Sequence, residues 1–158
     1  MRISLKNAVL VISDGAAGSV TVNIGDGTFR FTEAFTMNYE LNRGTLDDVT
    51  EGDDIPMEVN FDFVWDYLIG TAGSPSVREA LRGTGNASAW KSTDADTCNA
   101  YAVDLTLTFT PDCDGNKETM TFSDFRVERM DADIGNKQIA ASGKCNVTQP
   151  TAVRASQS

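Results

Sequence analysis

Carboxylates dominate the part of this sequence that is richest in reactive side chains, the stretch GTLDDVTEGDDIPMEVNFDFVWD at residues 44–66. It holds eight aspartates and glutamates and no lysine or arginine. Paired carboxylates can hydrolyse glycosides or bind hard cations, and a dense row of them repels phosphate. The chain has 23 such acids, and the sequence shows no pocket that would select a catalytic pair. We therefore expect a structural use of this charge and no enzymatic activity.

The side chains needed for most other catalytic and metal chemistry are missing. The chain has no histidine, which removes Ser-His and Cys-His nucleophilic systems. None of the cysteines stands in a C-x-x-C pair of the kind that binds zinc. The segments DCDGN (112–116) and DADIGN (131–136) lack the residue order of a calcium loop, and we interpret both as turns. We expect no metal and no other cofactor.

The three cysteines, Cys98, Cys113 and Cys145, are an odd number, so at least one thiol is unpaired within a monomer. Cys145 lies on an apolar face and is most simply a buried thiol. If a disulfide forms, Cys113 and Cys145 are the expected pair, because the predicted meander folds their strand ends toward one edge of the sheet.

Size and net charge set further limits. A chain of 158 residues suits one domain, which we place at residues 1–148, followed by a loose tail at 149–158. Its net charge of -10 disfavours tight binding of nucleic acid. The apolar run from Ala8 to Ile12 is too short for a signal peptide or a bilayer span, so we expect synthesis in the cytoplasm without membrane attachment.

Alternation of apolar and polar residues recurs along the chain and predicts a mainly antiparallel β protein. Residues 20–31 are typical of a hairpin that turns at Gly25-Asp26-Gly27. Residues 35–41 and 57–66 predict two strands, each with a buried apolar face. A long acidic loop at 44–55 is expected to join them.

The rest of the chain predicts one helix and a meander. The helix is expected at about 74–82, begun by Ser74 or by a capping box from Ser76 to Glu79. A polar connector anchored by Trp90 follows, and three strands complete the chain, with a β-bulge near Ser123-Asp124 where the parity of the alternation changes. The predicted fold is an antiparallel β-sandwich or flattened barrel with one short flanking α-helix.

The acids of the predicted strands share polar faces. On the strand at 57–66 the acids occupy one side, and we expect four strand acids to form a negative wall that could line a channel: Glu40, Glu58, Asp62 and Asp104. A solvated acidic surface would produce the same pattern. If copies associated side by side through their open sheet edges, the wall would continue around a ring.

A series of short segments between Leu41 and Thr148 resembles the tail tube proteins of long-tailed bacteriophages. These segments are GTLDDV, EGDDIP, VNFDF, YAVDLTLTFTP, ETMTFSDFR and SGKCNVT. The resemblance implies a β-sandwich with a side helix, assembled as stacked hexameric rings around a channel through which DNA passes without specific binding. It matches the segment at 44–55 to a region of subunit and ring contacts, with these candidate residues: Leu46, Asp47, Asp48, Glu51, Asp53, Asp54 and Ile55.

The same resemblance implies partners and a location. The partners are further copies of the chain, a tape-measure protein, and tail tip and terminator proteins, and the location is the virion tail. Contractile and non-contractile tails both remain open, as does the sheet that faces the channel.

Two alternatives accompany this interpretation. One is a carbohydrate-binding β-sandwich module, for which Trp65, Trp90 and Tyr101 would be the stacking residues, although aromatic residues at strand spacing usually pack in a core. The other is a minor tail component, such as a tube-initiation or terminator protein.

Overall fold

The computed structural model describes residues 8–22, 24, 27–64, 73–110 and 115–156. Within these residues the secondary structure consists of strands β1 (Ala8–Ser13), β2 (Ser19–Val22), β3 (Phe29–Thr32), β4 (Met37–Asn42), β5 (Thr45–Glu51), β6 (Glu58–Val64), helix α1 (Val77–Arg82), one 3-10 turn (Gly85–Ala87), and strands β7 (Val103–Phe109), β8 (Asn116–Asp133), β9 (Gln138–Lys144) and β10 (Thr151–Ser156).

Two antiparallel layers are built around β8. The layer that we call sheet A has the order β2-β1-β7-β8-β10, and the layer that we call sheet B has the order β8-β9-β6-β3. The first half of β8, up to Phe125, pairs with β7, and the second half, from Arg126, pairs with β9. One 18-residue strand is therefore shared by both layers.

The bend in β8 has a local cause. Its register with β7 shifts between Val103 and Leu105, and Asp124 has a positive φ of 55°. The Asp104 carboxylate accepts a hydrogen bond of 3.0 Å from the backbone N–H of Asp124 and so holds this bulge. On β9, Gly143 allows the bent strand to approach, because a Cβ there would collide with the carbonyl of Arg126. The bulge predicted near Ser123-Asp124 is confirmed.

Aromatic rings fill the space between the layers. The ring of Phe122 on sheet A lies 5.2 Å from the rings of both Phe29 and Phe31 on β3. Phe125 lies 6.0 Å from Phe61 on β6. Phe61, Phe122 and Phe125 are fully buried, as the inward positions of an alternating strand should be. The predicted all-β sandwich with one short helix is confirmed.

Helix α1 forms as its flanking residues predict. The Ser76 hydroxyl accepts from the backbone N–H of Glu79, and the Glu79 carboxylate accepts in return from the N–H of Ser76, which completes a capping box. Gly83 ends the helix in the left-handed conformation. Val77, Ala80 and Leu81 bury one face of the helix against the sandwich.

The predicted hairpin at 20–31 is wrong. β2 pairs with β1, whereas β3 pairs with β6 at the far edge of sheet B. β3 belongs to the second layer, where the rings of Phe29 and Phe31 pack against Phe122 across the core. The strands β2 and β3 therefore lie in different layers, and the predicted turn residues Gly25 and Asp26 lie outside the described part of the chain.

Two further expectations are corrected. The segment 44–55 is not a long loop, since residues 45–51 form β5 and pair with β4. The tail from residue 149 is not loose over 151–156, because β10 pairs with β8 in six consecutive positions from Thr151 to Ser156. Every residue of both strands is exposed, so neither strand shows the alternation of buried and polar residues that would reveal its pairing.

Candidate functional site

Strands β4 and β5 form a separate two-stranded sheet outside the sandwich. They are joined by the two-residue turn Arg43-Gly44, with φ values of 54° and 82°. Positive φ at both central residues is the geometry that matches the twist of a hairpin. The hairpin leaves the sandwich after β3 and returns to it at β6, so it projects from the edge of sheet B.

One face of this hairpin is apolar and exposed. Tyr39 lies opposite Val49, and Leu41 lies opposite Leu46. The side chains that we call the apolar hairpin face are exposed by 39 to 66% and comprise Met37, Tyr39, Leu41, Leu46 and Val49. A two-stranded hairpin is marginally stable by itself in water, and a contiguous exposed apolar patch marks an interaction surface. The sequence predicted that the apolar residues of β4 would be buried, and that prediction is wrong for the isolated chain.

The other hairpin face is acidic. Glu40 lies directly opposite Asp48, an arrangement of like charges that opposes pairing. A shift of register between Glu40 and Leu41 leaves Asp47 unpaired in the ladder. The predicted contact residues therefore divide between the hairpin and its base: Leu46, Asp47, Asp48 and Glu51 belong to β5, whereas Asp53, Asp54 and Ile55 follow it.

Backbone hydrogen bonds close the base of the hairpin and hold the start of β6, which follows it. The N–H of Gly52 donates to the carbonyl of Thr36 at 2.7 Å. Met57 donates to Val147 and accepts from Cys145, which ties the start of β6 to the chain beyond β9. A cleft of about 220 Å³ lies beside this base, between Phe35, Asp53, Asp54 and Gln149.

The four predicted channel acids lie on three surfaces and do not form one wall. Glu40 is on the hairpin, Glu58 and Asp62 are on the outer face of sheet B, and Asp104 is on the outer face of sheet A. Across sheet B, Lys144 pairs opposite Glu58, and Arg30 on β3 lies opposite Asn60, between the two acids. The outer face of sheet B therefore carries charge of both signs.

Neither of the two cysteines in the described part of the chain forms a disulfide. Cys98 is an exposed free thiol and Cys145 is a buried free thiol. Burial raises the pKa of Cys145 to about 12, with a smaller contribution from the carboxylates of Asp124 and Asp104, so the thiol stays protonated and unreactive at neutral pH. Because Cys145 is free, the predicted disulfide between it and Cys113 is not formed in this structure; Cys113 itself lies outside the described residues.

The aromatic residues of the carbohydrate alternative do not form a described stacking platform. Trp90 is half-buried against the core, and its ring covers Gly18, where an added Cβ would lie 2.7 Å away. The Tyr101 hydroxyl donates to the carbonyl of Ala80 at 3.0 Å, and burial raises the pKa of Tyr101 to about 12. Trp65 lies outside the described residues.

Two acids that the sequence did not single out organise the polar connector. The Asp14 carboxylate accepts from the backbone N–H groups of Ala16, Gly18 and Lys91, and so fixes the connector to the β1–β2 turn. The Asp94 carboxylate accepts from the Asp96 backbone, the Asn99 amide and the Arg126 guanidinium. These hydrogen bonds, with that of Asp96 the largest, hold the pKa of Asp94 far below its usual value of 3.8. No spacing pattern distinguishes these aspartates from the other acids of the chain.

This shift predicts an acid-sensitive contribution to stability. Because the pKa of Asp94 is lowered by folding, its stabilisation is fully present above pH 3.8 and is lost as the pH falls further. Asp94→Asn should therefore lower the free energy of unfolding clearly at pH 7, somewhat less at pH 3 and much less below about pH 2. Urea unfolding of wild type and variant from about pH 1.5 to pH 7 measures the difference.

The matched control is Asp131→Asn. Asp131 pairs with Arg129 at 3.0 Å, but both side chains are mostly exposed, and such surface pairs contribute little. Parallel pH profiles for Asp94→Asn and wild type would contradict the proposed contribution.

In the described part of the chain, no three His, Cys, Asp or Glu side chains are grouped so that they could hold a metal ion. No helix in the described ranges has the length and apolar character needed to span a membrane.

Comparison with known proteins gives a likeness of fold. No protein-family model matches the sequence, and no curated protein matches it at a significant level. Among solved structures, the fold is similar to a chain in the cryo-EM structure of the anti-feeding prophage (AFP) baseplate. The two share 9% sequence identity and a TM-score of 0.45, over 93% of this chain and 92% of that chain.

Proposed function

We propose that this protein is a non-catalytic structural subunit of a phage tail or a related tail-like particle, and that its finer role is that of a tail tube subunit. The observation that carries the proposal is the projecting hairpin with its exposed apolar face. A monomer gains nothing from an apolar surface held away from its own core, whereas an assembly buries it. The resemblance of several sequence segments to tail tube proteins favours a tail tube as that assembly.

The hairpin also favours a directional contact. In the proposed assembly the hairpin is a projection on one side of the subunit and meets a different surface on the neighbouring copy. Contacts between unlike surfaces repeat from copy to copy and close into rings or extend as tubes. We take hexameric rings that stack into a tube as the proposed form, with tape-measure, tail tip and terminator proteins as further partners.

Passage of DNA follows from net charge in this proposal. A subunit with a net charge of -10 repels phosphate on average. Glu58 and Asp62 remain candidates for the channel surface, although Lys144 and Arg30 lie beside them. The repulsion would arise from an excess of acids and not from an unbroken acidic wall.

Assembly of the purified full chain tests the proposal. We expect negative-stain electron microscopy to show rings or tubes, and light scattering after size-exclusion chromatography to show a mass that rises with concentration. A chain that stays monomeric at high concentration, both alone and when co-expressed with the tape-measure protein of the same particle, would contradict it. Copy number in the intact particle distinguishes a tube subunit from a tube-initiation or terminator subunit, which would use the same surfaces in few copies.

A further inference from the structure

The outward side of sheet A is almost free of charge. Strand register places β-branched side chains next to one another across five strands, and we call this set the uncharged face: Val9, Val11, Thr21, Thr106, Thr108, Thr119, Thr121, Thr151 and Val153. Val9 and Val153 are 50% and 58% exposed. On β1, β7 and the middle of β8 these short side chains alternate with inward-facing core residues, so they lie on the outer side of sheet A.

The uncharged face contrasts with the rest of the molecule. On sheet B the outward positions include Arg30, Glu58, Asp62 and Lys144, which keep that surface solvated. A chain with 23 acids and 13 basic residues has charge available for every exposed strand. A five-stranded face that carries almost none of it suits contact with protein, since depletion of charge is typical of the centre of an interface.

The outward-facing charged residues in the described part of sheet A lie at the two ends of this face, whereas Glu118 and Arg154 lie on the opposite side of the sheet. Asp104 lies at the end where β8 bulges. Lys117 lies at the other end, close to the start of β8. From Lys117 to Asp124, the residue that Asp104 binds, the strand advances seven residues, or about 23 Å.

The apolar hairpin face has a matching length and the opposite polarity. From Glu51 at its base to Gly44 at its turn the chain also advances seven residues, or about 23 Å. The acidic residue Glu51 lies where the hairpin joins the rest of the chain, and the basic residue Arg43 lies at the tip of the hairpin. Laid along the uncharged face, the hairpin would place Arg43 near Asp104 and Glu51 near Lys117, with its apolar residues over the threonines and valines.

We propose that the apolar hairpin face of one copy binds the uncharged face of sheet A on a second copy. In the single chain β4 and β5 pair only with each other and their apolar side chains stay exposed, so the hairpin does not cover its own sheet A. The inference rests on the proposed assembly and names the surface that receives the hairpin. The contact joins two unlike surfaces, as ring and tube formation requires.

Charge placed on the uncharged face tests this docking. Thr119→Glu puts a carboxylate at the centre of the face, and we expect the concentration needed for assembly to rise at least about tenfold, equivalent to about 1.4 kcal/mol. Ser142→Glu is the matched control, since it adds the same charge at a half-buried outward position of sheet B, beside Arg129. The control should assemble within about twofold of wild type, a difference below RT. Sedimentation velocity over a concentration series measures all three proteins.

A second test exchanges charges at exposed positions, and it remains informative if Thr119→Glu fails to fold. Lys117→Glu and Glu51→Lys should each weaken assembly several-fold, because rim charges contribute modestly, and the double variant should recover most of the loss. Recovery identifies the pair and the direction in which the hairpin lies.

The outcomes separate this inference from the proposed function. If wild type forms rings and Thr119→Glu assembles equally well, or the exchanged pair shows no recovery, the hairpin binds another surface and the inference fails alone. If Ser142→Glu blocks assembly while Thr119→Glu does not, the receiving surface is sheet B. If wild type never assembles, the proposed function and this inference both fail.

Discussion

Replacing Leu41 and Leu46 with threonine should abolish assembly while leaving the subunit folded. The two leucines face each other across the hairpin and are 66% and 57% exposed in the single chain. Burial of a leucine side chain contributes about 1.5–3 kcal/mol, and threonine retains a small part of it. A combined loss of about 4 kcal/mol would raise the concentration needed for assembly about a thousandfold.

The fold should not change, because both leucines lie outside the core and threonine suits a strand. Far-ultraviolet circular dichroism and the melting temperature of the monomer check this point, and electron microscopy checks assembly. The control pair is Glu40→Gln with Asp48→Asn on the acidic face of the same hairpin, which relieves the repulsion between opposed acids and should leave assembly intact. Normal rings from the leucine variant would exclude the apolar hairpin face as the contact surface.

Truncation of Phe122 to alanine should produce the largest loss of subunit stability. Phe122 is completely buried and contacts Phe29 and Phe31, so its ring links the two layers. Removal of a buried phenylalanine side chain costs about 3–5 kcal/mol, because the cavity only partly collapses. In a chain of this size the melting temperature should fall by about 10 °C.

The comparison variant is Phe35→Ala. Phe35 is 63% exposed at the base of the hairpin, and its removal should change the free energy of unfolding of the monomer by less than about 0.5 kcal/mol. Chemical denaturation of the two variants gives both values. Similar losses for Phe35 and Phe122 would contradict the assigned packing between layers.

Strand positions and inward faces were largely readable from the sequence. Alternation located β6, β7 and β9 together with their buried sides, and a break in that alternation located the bulge at Asp124. These features follow from local geometry, because the side chains of a strand alternate between two faces. The helix was readable for the same reason, since the capping box and Gly83 act within a few residues.

Strand pairing was harder to predict from the sequence. Alternation identifies which face of a strand is buried and not which strand lies beside it. The turn-like residues between β2 and β3 are equally compatible with a hairpin and with a crossing between layers. Only the packing of Phe29 and Phe31 against Phe122, more than ninety residues further along the chain, selects the crossing.

The candidate site was half readable. The acids at 44–55 indicated the segment that contains β5, but Asp47 and Asp48 are unusual in strands and concealed the strand itself. The apolar residues of β4 were assigned to the core, because alternation cannot distinguish a face buried in the subunit from one that awaits a partner. Only the exposure of Tyr39 and Leu41 in the folded chain identifies them as candidate contact residues.

The shared strand β8 also bears on mechanical strength. Two layers held together by side chains alone can slide over each other, since dispersion contacts resist shear weakly in any one direction. Here a continuous backbone runs from one layer into the other, and antiparallel ladders with β7 and β9 clamp its two halves. A pull applied to one layer is transmitted along covalent bonds, so sliding requires that a whole ladder break at once.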